Sequence, residues 1–279
     1  MNLGLSMWSC AALWKQETLD VPGFVRLAAQ WGVEGVELLD FFWRDQEAEM
    51  PAVQSALRET GLPACVYSVS NNFALPDPAA RAAELQTITE GVDCAALLGA
   101  KIVRVFAGNA PDGVASDDAF RWITLGLADA ADYAHNAGIT LALENHGLLA
   151  GLSGQVSLIL DAVNSPALRA NPDTGNFLLV QDVPENACAR LASRAAMCHL
   201  KDFVAVPPNY HLQAYVAANG SKYAGTALDE GEVDLPACLA NLKQGGFDGW
   251  VNIEYEAEED PLTGVPRSVA NARRLLQAM

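Results

Sequence analysis

Three carboxylates and one histidine lie at the ends of four successive apolar runs in the second half of the chain. Glu144 ends TLALE, Asp173 follows LRANP, His199 lies in MCHL and Glu254 follows WVNI. If these runs are neighbouring parallel strands, the four side chains meet, and three carboxylates in a partly desolvated pocket cannot all remain ionised unaided. A divalent cation removes that conflict, and mixed oxygen and imidazole ligation suits Mn²⁺, Co²⁺, Mg²⁺, Zn²⁺ or Fe²⁺. We therefore expect one divalent metal ion held by all four side chains.

A metal ion that chelates a carbonyl and its neighbouring hydroxyl acidifies the adjacent C–H bond, which makes proton transfer the expected chemistry. Glu144 and Glu254 are the candidate bases. His146 and Lys201 each follow a predicted ligand by two residues and so face the same way along a strand, where either side chain could protonate a departing hydroxyl. The alternatives are an ion pair between Lys201 and a rim acid, and a hydrogen-bonded loop position for His146.

Several further residues are candidates for substrate contact. Trp8 and Phe106 lie at predicted strand ends, where an aromatic wall could cover the C–H face of a sugar, although ordinary packing is an alternative. Residues 203 to 232 form too long a segment for a simple connection, and such loops are usually functional. We expect this segment to fold over the metal as a lid with His211 or Tyr215 near the substrate, or to contact a second copy in a homo-oligomer.

The elements that must position these residues alternate regularly. Eight apolar runs, predicted as strands, occupy residues 3–8, 35–39, 64–69, 101–106, 140–145, 168–173, 197–202 and 250–255. Helix-like segments occupy residues 18–31, 47–60, 78–99, 116–137, 153–163, 184–192, 234–244 and 266–278. Eightfold strand–helix alternation predicts a (β/α)8 TIM barrel, in which Glu37 and Arg104 are expected to form an internal ion pair.

Composition narrows the class of protein. A chain of 279 residues with 51% hydrophobic content and no linker-like stretch is expected to form one domain over residues 1–279. Neither a signal sequence nor an apolar run of about 20 residues is present, so a cytoplasmic protein is expected. The six scattered cysteines are interpreted as reduced core residues. A net charge of −17 opposes binding to nucleic acid and to anionic membranes.

Five motifs, GVEGVELLD, ALENH, PDTGN, HLKD and GWVNIEYE, resemble the xylose-isomerase-like superfamily of sugar isomerases, epimerases and dehydratases. The resemblance implies a TIM barrel whose metal is held by Glu, Asp, His and Glu, roles that fall on Glu144, Asp173, His199 and Glu254. In ketose 3-epimerases the two metal-bound glutamates act as acid and base on opposite faces of the substrate. That branch has a histidine three residues after the Asp ligand, where this chain has Asn176, which we expect to contact substrate.

Two enzyme classes remain open. The first is a metal-dependent isomerase or epimerase of a small sugar or cyclitol acting through an enediolate. The second is a dehydratase of a cyclic keto-polyol such as an inosose or 3-dehydroshikimate, which the ENH tripeptide and the long segment after the seventh strand resemble. An abasic-site endonuclease would need more histidines than the four present, and intact acid–base candidates argue against a non-catalytic barrel.

The rim after the eighth predicted strand bears on the substrate's charge. It carries Glu256, Glu258, Glu259 and Asp260, which would repel a phosphate group. A non-phosphorylated, polyhydroxylated carbonyl substrate is therefore expected.

Overall fold

Eight parallel strands form the inner wall of the molecule. The computed structural model describes all 279 residues. The chain has eleven strands, of which all but β8, β9 and β10 belong to this wall. In chain order they are β1 (Asn2–Ser6), β2 (Gly35–Leu39), β3 (Ala64–Ser68), β4 (Ile102–Val105), β5 (Thr140–Glu144), β6 (Leu168–Asn171), β7 (Met197–Leu200), β8 (Phe203–Val206), β9 (Tyr215–Val216), β10 (Lys222–Gly225) and β11 (Trp250–Ile253). The wall runs β6-β5-β4-β3-β2-β1-β11-β7, and single bridges join Ala170 to Ala195 and Asp173 to His199. The bridges link β6 with β7, so the eight predicted strands and the (β/α)8 TIM barrel are confirmed.

Helices surround this wall. They are α1 (Ala11–Lys15), α2 (Val21–Trp31), α3 (Gln46–Thr60), α4 (Pro78–Leu98), α5 (Ser116–Asn136), α6 (Ser153–Val163), α7 (Asn176–Leu179), α8 (Pro184–Leu191), α9 (Leu235–Gln244) and α10 (Pro261–Gln277). Several begin with an aspartate whose side chain accepts a backbone N–H, followed by proline in the first turn, a favoured helix start. Asp260 and Pro261 form such a start. The predicted beginning of the last helix at residue 266 is therefore wrong.

The first strand is shorter than predicted. It ends at Ser6, and Met7–Cys10 form a 3₁₀ helix whose first turn is capped by the Ser6 hydroxyl, which accepts from Trp8 N at 3.4 Å. Trp8 therefore lies just beyond the strand rather than in it. Ordinary alternation of strand side chains does not determine its direction.

Most of the apolar core is a cluster of 68 buried residues, and a second cluster contains four, Cys65, Val66, Ala142 and Met197. All six cysteines are buried free thiols, as expected. The barrel interior is polar at the carboxyl end of the strands. Gly4 makes room there, because a Cβ atom at this position would lie 2.0 Å from Asn252 Oδ1. None of the helices combines the length and apolar character required to cross a membrane.

The long segment after β7 folds as an antiparallel sheet of β8, β10 and β9. The buried carboxylate of Asp202 accepts backbone N–H groups from Phe203, Gly231 and Val233, so it ties together the two ends of the segment. A Cβ atom on Gly225 would lie 2.4 Å from Glu256 O, which shows how closely this sheet packs on the loop after β11. The sheet thus lies at the carboxyl end of the barrel.

Candidate metal centre

Four buried side chains converge at the carboxyl ends of consecutive barrel strands. Glu144 is the last residue of β5, Asp173 follows β6, His199 lies in β7 and Glu254 follows β11. One candidate ligand atom from each lies within 4.8 Å of the others. Glu144 and Glu254 belong to strands separated by two others, so their carboxylates approach from opposite flanks. The four residues expected to meet are therefore brought together, and we refer to them as the four-residue cluster.

The two imidazole nitrogens of His199 face different carboxylates inside the barrel. Nδ1 faces the cluster, 3.2 Å from Glu144 Oε2 and 3.8 Å from Asp173 Oδ2. Nε2 faces away and lies 2.9 Å from Glu37 Oε2. A carboxylate bound to Nε2–H favours the tautomer whose Nδ1 lone pair points toward the cluster, the arrangement found behind metal-ligating histidines.

Glu37 is the residue that sequence reasoning assigned incorrectly. It was expected to pair with Arg104, but it is fully buried and binds His199, Asn252 Nδ2 at 2.8 Å and Ser68 Oγ at 2.6 Å. Arg104 instead lies with its Nε atom 3.3 Å from Glu144 Oε2. The distance between Glu37 and His199 in the sequence hid this contact, although the inward position of Glu37 in GVELL was a usable signal.

The cationic side chains beside the cluster are bound by its carboxylates. Lys201 Nζ lies 2.6 Å from Glu254 Oε2, 3.0 Å from Asp173 Oδ2 and 3.2 Å from Glu256 Oε1. Its pairing with Glu256 agrees with the expected ion pair to a rim acid. Lys201 also touches two cluster residues, so the same position suits a proton donor.

One oxygen of the cluster lacks a hydrogen-bond donor. Asp173 Oδ1 accepts from the backbone N–H groups of Gly175 and Asn176. Asp173 Oδ2 is buried without a hydrogen bond, because Lys201 approaches at ion-pair distance but without the required geometry. A buried carboxylate oxygen without a donor, beside two further carboxylates and an imidazole nitrogen, fits a divalent cation with mixed oxygen and nitrogen ligands.

The pKa values of the three cluster carboxyl groups are shifted in different directions because these groups are buried close together. Burial raises the pKa of Glu254 to about 7 despite Lys201 and His199 nearby. Burial also raises the pKa of Asp173. For Glu144, the opposing effects of His199 and Arg104 outweigh burial and lower the pKa. Three carboxylates therefore cannot share this volume as equivalent anions, whereas a divalent cation would favour the ionised form of each.

The amide side chains of three asparagines form hydrogen bonds with residues of the cluster. Asn145 and Asp173 exchange two hydrogen bonds, through Asp173 N at 2.6 Å and Asp173 O at 3.1 Å. Asn171 Nδ2 lies 3.3 Å from Glu144 Oε2. Asn176 Nδ2 donates to Glu144 Oε1 at 3.2 Å and to Asn145 O at 3.1 Å. The Asn176 amide nitrogen thus orients Glu144, and substrate contact by Asn176 stays a prediction.

The remaining predicted site residues lie around the cluster. His146 is exposed and lies against Phe106 with the rings tilted and their centroids 4.8 Å apart. The Arg104 guanidinium lies 4.0 Å from the centroid of the Phe106 ring. Trp8 is half-buried and donates from Nε1 to Glu256 Oε1 at 2.7 Å. These aromatic residues therefore form part of the rim, and their contact with substrate remains a prediction.

The antiparallel sheet of β8, β10 and β9, which we call the lid sheet, brings Tyr215 to the rim. Tyr215 borders the same recess as Trp8 and Glu256, and burial together with Glu256 raises its pKa. His211 is exposed, and its ring neighbour is Tyr210 at 6.3 Å. Tyr215 therefore lies beside the rim. Contact of His211 or Tyr215 with substrate, and contact of this segment with a second copy, remain predictions.

The acids after β11 are mostly engaged outside the site. Glu259 pairs with Arg267, Glu258 accepts from Gln213 N, and Asp260 caps α10. Glu256 alone turns to Lys201 and Trp8. The strongly negative rim expected from the sequence is therefore reduced to one carboxylate facing the cluster.

Comparison with known proteins agrees with the TIM-barrel fold. The model of the xylose isomerase-like TIM barrel family matches residues 25–277, so the chain belongs to that family. The L-ribulose-5-phosphate 3-epimerase UlaE of Salmonella paratyphi C is 26% identical over 226 residues, which cover 78% of this chain and 74% of that protein. The resemblance drawn from the motifs is thereby confirmed.

Solved structures share the fold at lower identity. The D-allulose 3-epimerase of Methylomonas sp. in complex with D-allulose has a TM-score of 0.74 and 20% identity, covering 100% of this chain and 96% of that one. The probable 3-DHS dehydratase AsbF of Bacillus anthracis has a TM-score of 0.77 and 16% identity, covering 99% of each chain. Both an epimerase and a dehydratase therefore use this architecture.

Proposed function

We propose that this protein is a divalent-metal-dependent isomerase or epimerase of a small, non-phosphorylated sugar or cyclitol. The observation that carries the proposal is the convergence of Glu144, Asp173, His199 and Glu254 within 4.8 Å. A divalent cation held there would polarise a carbonyl and its neighbouring hydroxyl and stabilise the enediolate formed by proton removal. The epimerases among the similar proteins support this class.

Proton transfer is assigned to the two glutamates. Glu144 and Glu254 approach the cluster from opposite flanks, so a substrate bound between them presents one face to each. One carboxylate removes the proton from the carbon next to the carbonyl, and the other returns a proton from the opposite side, which inverts that carbon. A divalent cation at the cluster would favour the ionised carboxylate form, which is the form that acts as a base.

The surrounding residues position these carboxylates. Arg104 and Asn176 fix the two oxygens of Glu144, and Lys201 lies against Glu254. The β8-β10-β9 sheet packs on the loop after β11 at the carboxyl end of the barrel, where it would keep bulk water away from the enediolate. We therefore expect the substrate to be a small polyhydroxylated carbonyl compound.

A dehydratase is the second candidate. It is favoured by Asn176 at the position of the epimerase histidine and by the exposed imidazole of His146 beside Phe106. Loss of a β-hydroxyl requires a proton donor in addition to the base, and His146 or Lys201 supplies one. If His146→Ala abolishes elimination while exchange of the α-proton survives, the dehydratase is correct. Equal turnover by His146→Ala and the wild type would remove this support.

The proposal is tested by incubating protein loaded with Mn²⁺, Co²⁺, Mg²⁺ or Zn²⁺ with a panel of ketoses, inososes and 3-dehydroshikimate. Chromatography separates epimers and isomers, and ultraviolet absorbance detects conjugated elimination products. Metal-dependent formation of an epimer or ketose isomer is expected. No product from any compound with any of the four metals would overturn the proposal.

A further inference from the structure

An apolar cavity of about 450 Å³ opens beside the four-residue cluster. Its polar corner consists of His146 and Asn176, and Asn176 is the residue that donates to Glu144 Oε1 at 3.2 Å. The cavity therefore adjoins the cluster through a shared side chain. Asn176 lies between the cluster and the cavity, so a molecule anchored at the cluster would reach the cavity past this side chain.

The walls of the cavity come from two elements that are tied together. Leu179 ends α7, three residues after Asn176, and its carbonyl accepts from Ala218 N in the lid segment at 2.8 Å. Val216 of β9 lies opposite, held in the lid sheet by its pairing with Lys222 of β10. Because both walls are anchored by backbone hydrogen bonds, the cavity is a built feature of the fold.

The lining is mostly apolar. Its ten residues include no Asp, Glu, Lys or Arg, and seven are hydrophobic. Leu148 and Val216 remain 68% and 67% exposed at its edge. Apolar side chains around a concave opening next to a reactive centre are typical of ligand sites. A phosphate or carboxylate would find no Lys or Arg in this cavity, whereas a hydrocarbon group would contact apolar side chains.

We infer that the substrate carries, attached to its polyhydroxylated carbonyl end, an uncharged aryl or alkyl substituent that occupies this cavity. The inference rests on the proposed function, because the cluster anchors the other end of the molecule. An apolar cavity of roughly 150 Å³ can hold benzene, so 450 Å³ accommodates an aromatic ring with a short linker. The protein then acts on a substituted sugar, such as a glycoside with an apolar aglycone, rather than on a bare polyol.

Hydroxamic acids separate this inference from the proposed function, because their two oxygens chelate divalent metals without depending on sugar configuration. Calorimetry with Mn²⁺-loaded protein compares acetohydroxamic acid with benzo-, phenylaceto- and 3-phenylpropanohydroxamic acids. At least one aryl compound should bind ten-fold or more tightly than acetohydroxamic acid, which corresponds to about 1.4 kcal/mol. Binding of all four with equal affinity overturns the inference and leaves the metal centre intact. Failure of all four to bind overturns both.

Variants locate the bound substituent. Leu179→Asp and Val216→Asp should abolish the aryl preference while leaving the affinity for acetohydroxamic acid unchanged, and the exposed position of Val216 keeps that test independent of folding. Leu125→Asp, at a leucine 59% exposed on the outer face of α5, is the matched control and should retain the preference. If Val216→Asp converts a dimer into a monomer in sedimentation experiments and leaves the aryl preference intact, the apolar surface belongs to a second copy and the inference fails.

Discussion

Glu37 Oε2 lies 2.9 Å from His199 Nε2 across the interior of the barrel, and both side chains are fully buried. The two residues belong to β2 and β7, which are not neighbours in the sheet. Ser68 and Asn252 donate to the same carboxylate, so its orientation is determined from three sides. The contact therefore fixes the orientation of the His199 ring, whose other nitrogen, Nδ1, faces the four-residue cluster.

Removing the negative charge of Glu37 should weaken metal binding without removing a ligand. In Glu37→Gln the Mn²⁺ dissociation constant, measured by calorimetry, should rise about 10- to 100-fold, as is usual when the partner of a ligating histidine is lost. Ser68→Ala removes one hydrogen bond to Glu37 but keeps the carboxylate, so it should have a smaller effect. An unchanged dissociation constant in Glu37→Gln would show that this carboxylate does not support the centre.

The two cluster glutamates should matter more for turnover than for substrate binding. At saturating Mn²⁺, Glu144→Gln and Glu254→Gln should each reduce kcat by about 10²-fold or more, because general acid–base catalysis acts in the transition state. Metal content is measured in parallel to separate loss of the base from loss of a ligand. Glu90→Gln changes an exposed glutamate on α4 and should behave like the wild type. Near-normal kcat in both cluster variants would refute the assignment.

Metal binding should stabilise the fold. At a metal concentration about 100-fold above the dissociation constant, linkage contributes ~2.7 kcal/mol, and the melting temperature of a protein of this size should rise by roughly 5 °C. Calorimetric melting with Mn²⁺ and then with excess chelator measures this effect. Asp173→Asn should lose most of the response, and Asp129→Asn, at an exposed aspartate on α5, should keep it. A full response in Asp173→Asn would contradict the ligand assignment.

A phosphorylated substrate should be the poorer one. Lys201 and Arg104, the two cations beside the cluster, are already bound to its carboxylates, so neither is free to bind a dianion. The kcat/KM for a neutral ketose should therefore exceed that for its phosphate ester. The name of the similar enzyme UlaE, an L-ribulose-5-phosphate 3-epimerase, points the other way. A ten-fold preference for the ester, about 1.4 kcal/mol in transition-state binding, would contradict the prediction.

The sequence was most informative where local pattern determines structure. Short apolar runs identified all eight barrel strands, and ligand-like residues at strand ends identified the four-residue cluster. Elements of one turn, such as α7 and the 3₁₀ helix at Met7–Cys10, carry too little periodicity to be recognised. The start of α10 was missed although Asp260 and Pro261 signal it.

Local sequence pattern could not predict which side chains meet across the barrel. Alternation along β2 places Glu37 inward, but it cannot choose between Arg104 on β4 and His199 on β7 as its partner. That choice depends on side-chain length, on the closure of the barrel and on space left by Gly4 for Asn252. The apolar cavity is similarly assembled from α7 and the lid sheet, which are distant in sequence.

Isotope exchange is the most direct test of metal-assisted proton transfer by Glu144 and Glu254. The Mn²⁺-loaded protein is incubated in D₂O with the best compound of the panel, and mass spectrometry and NMR locate the deuterium. We expect metal-dependent incorporation of deuterium at the carbon next to the carbonyl, with strong loss in Glu144→Gln and Glu254→Gln. Turnover that proceeds at full rate after chelation, or without deuterium at that carbon even in partially converted substrate and product, would contradict metal-assisted proton transfer by these two glutamates.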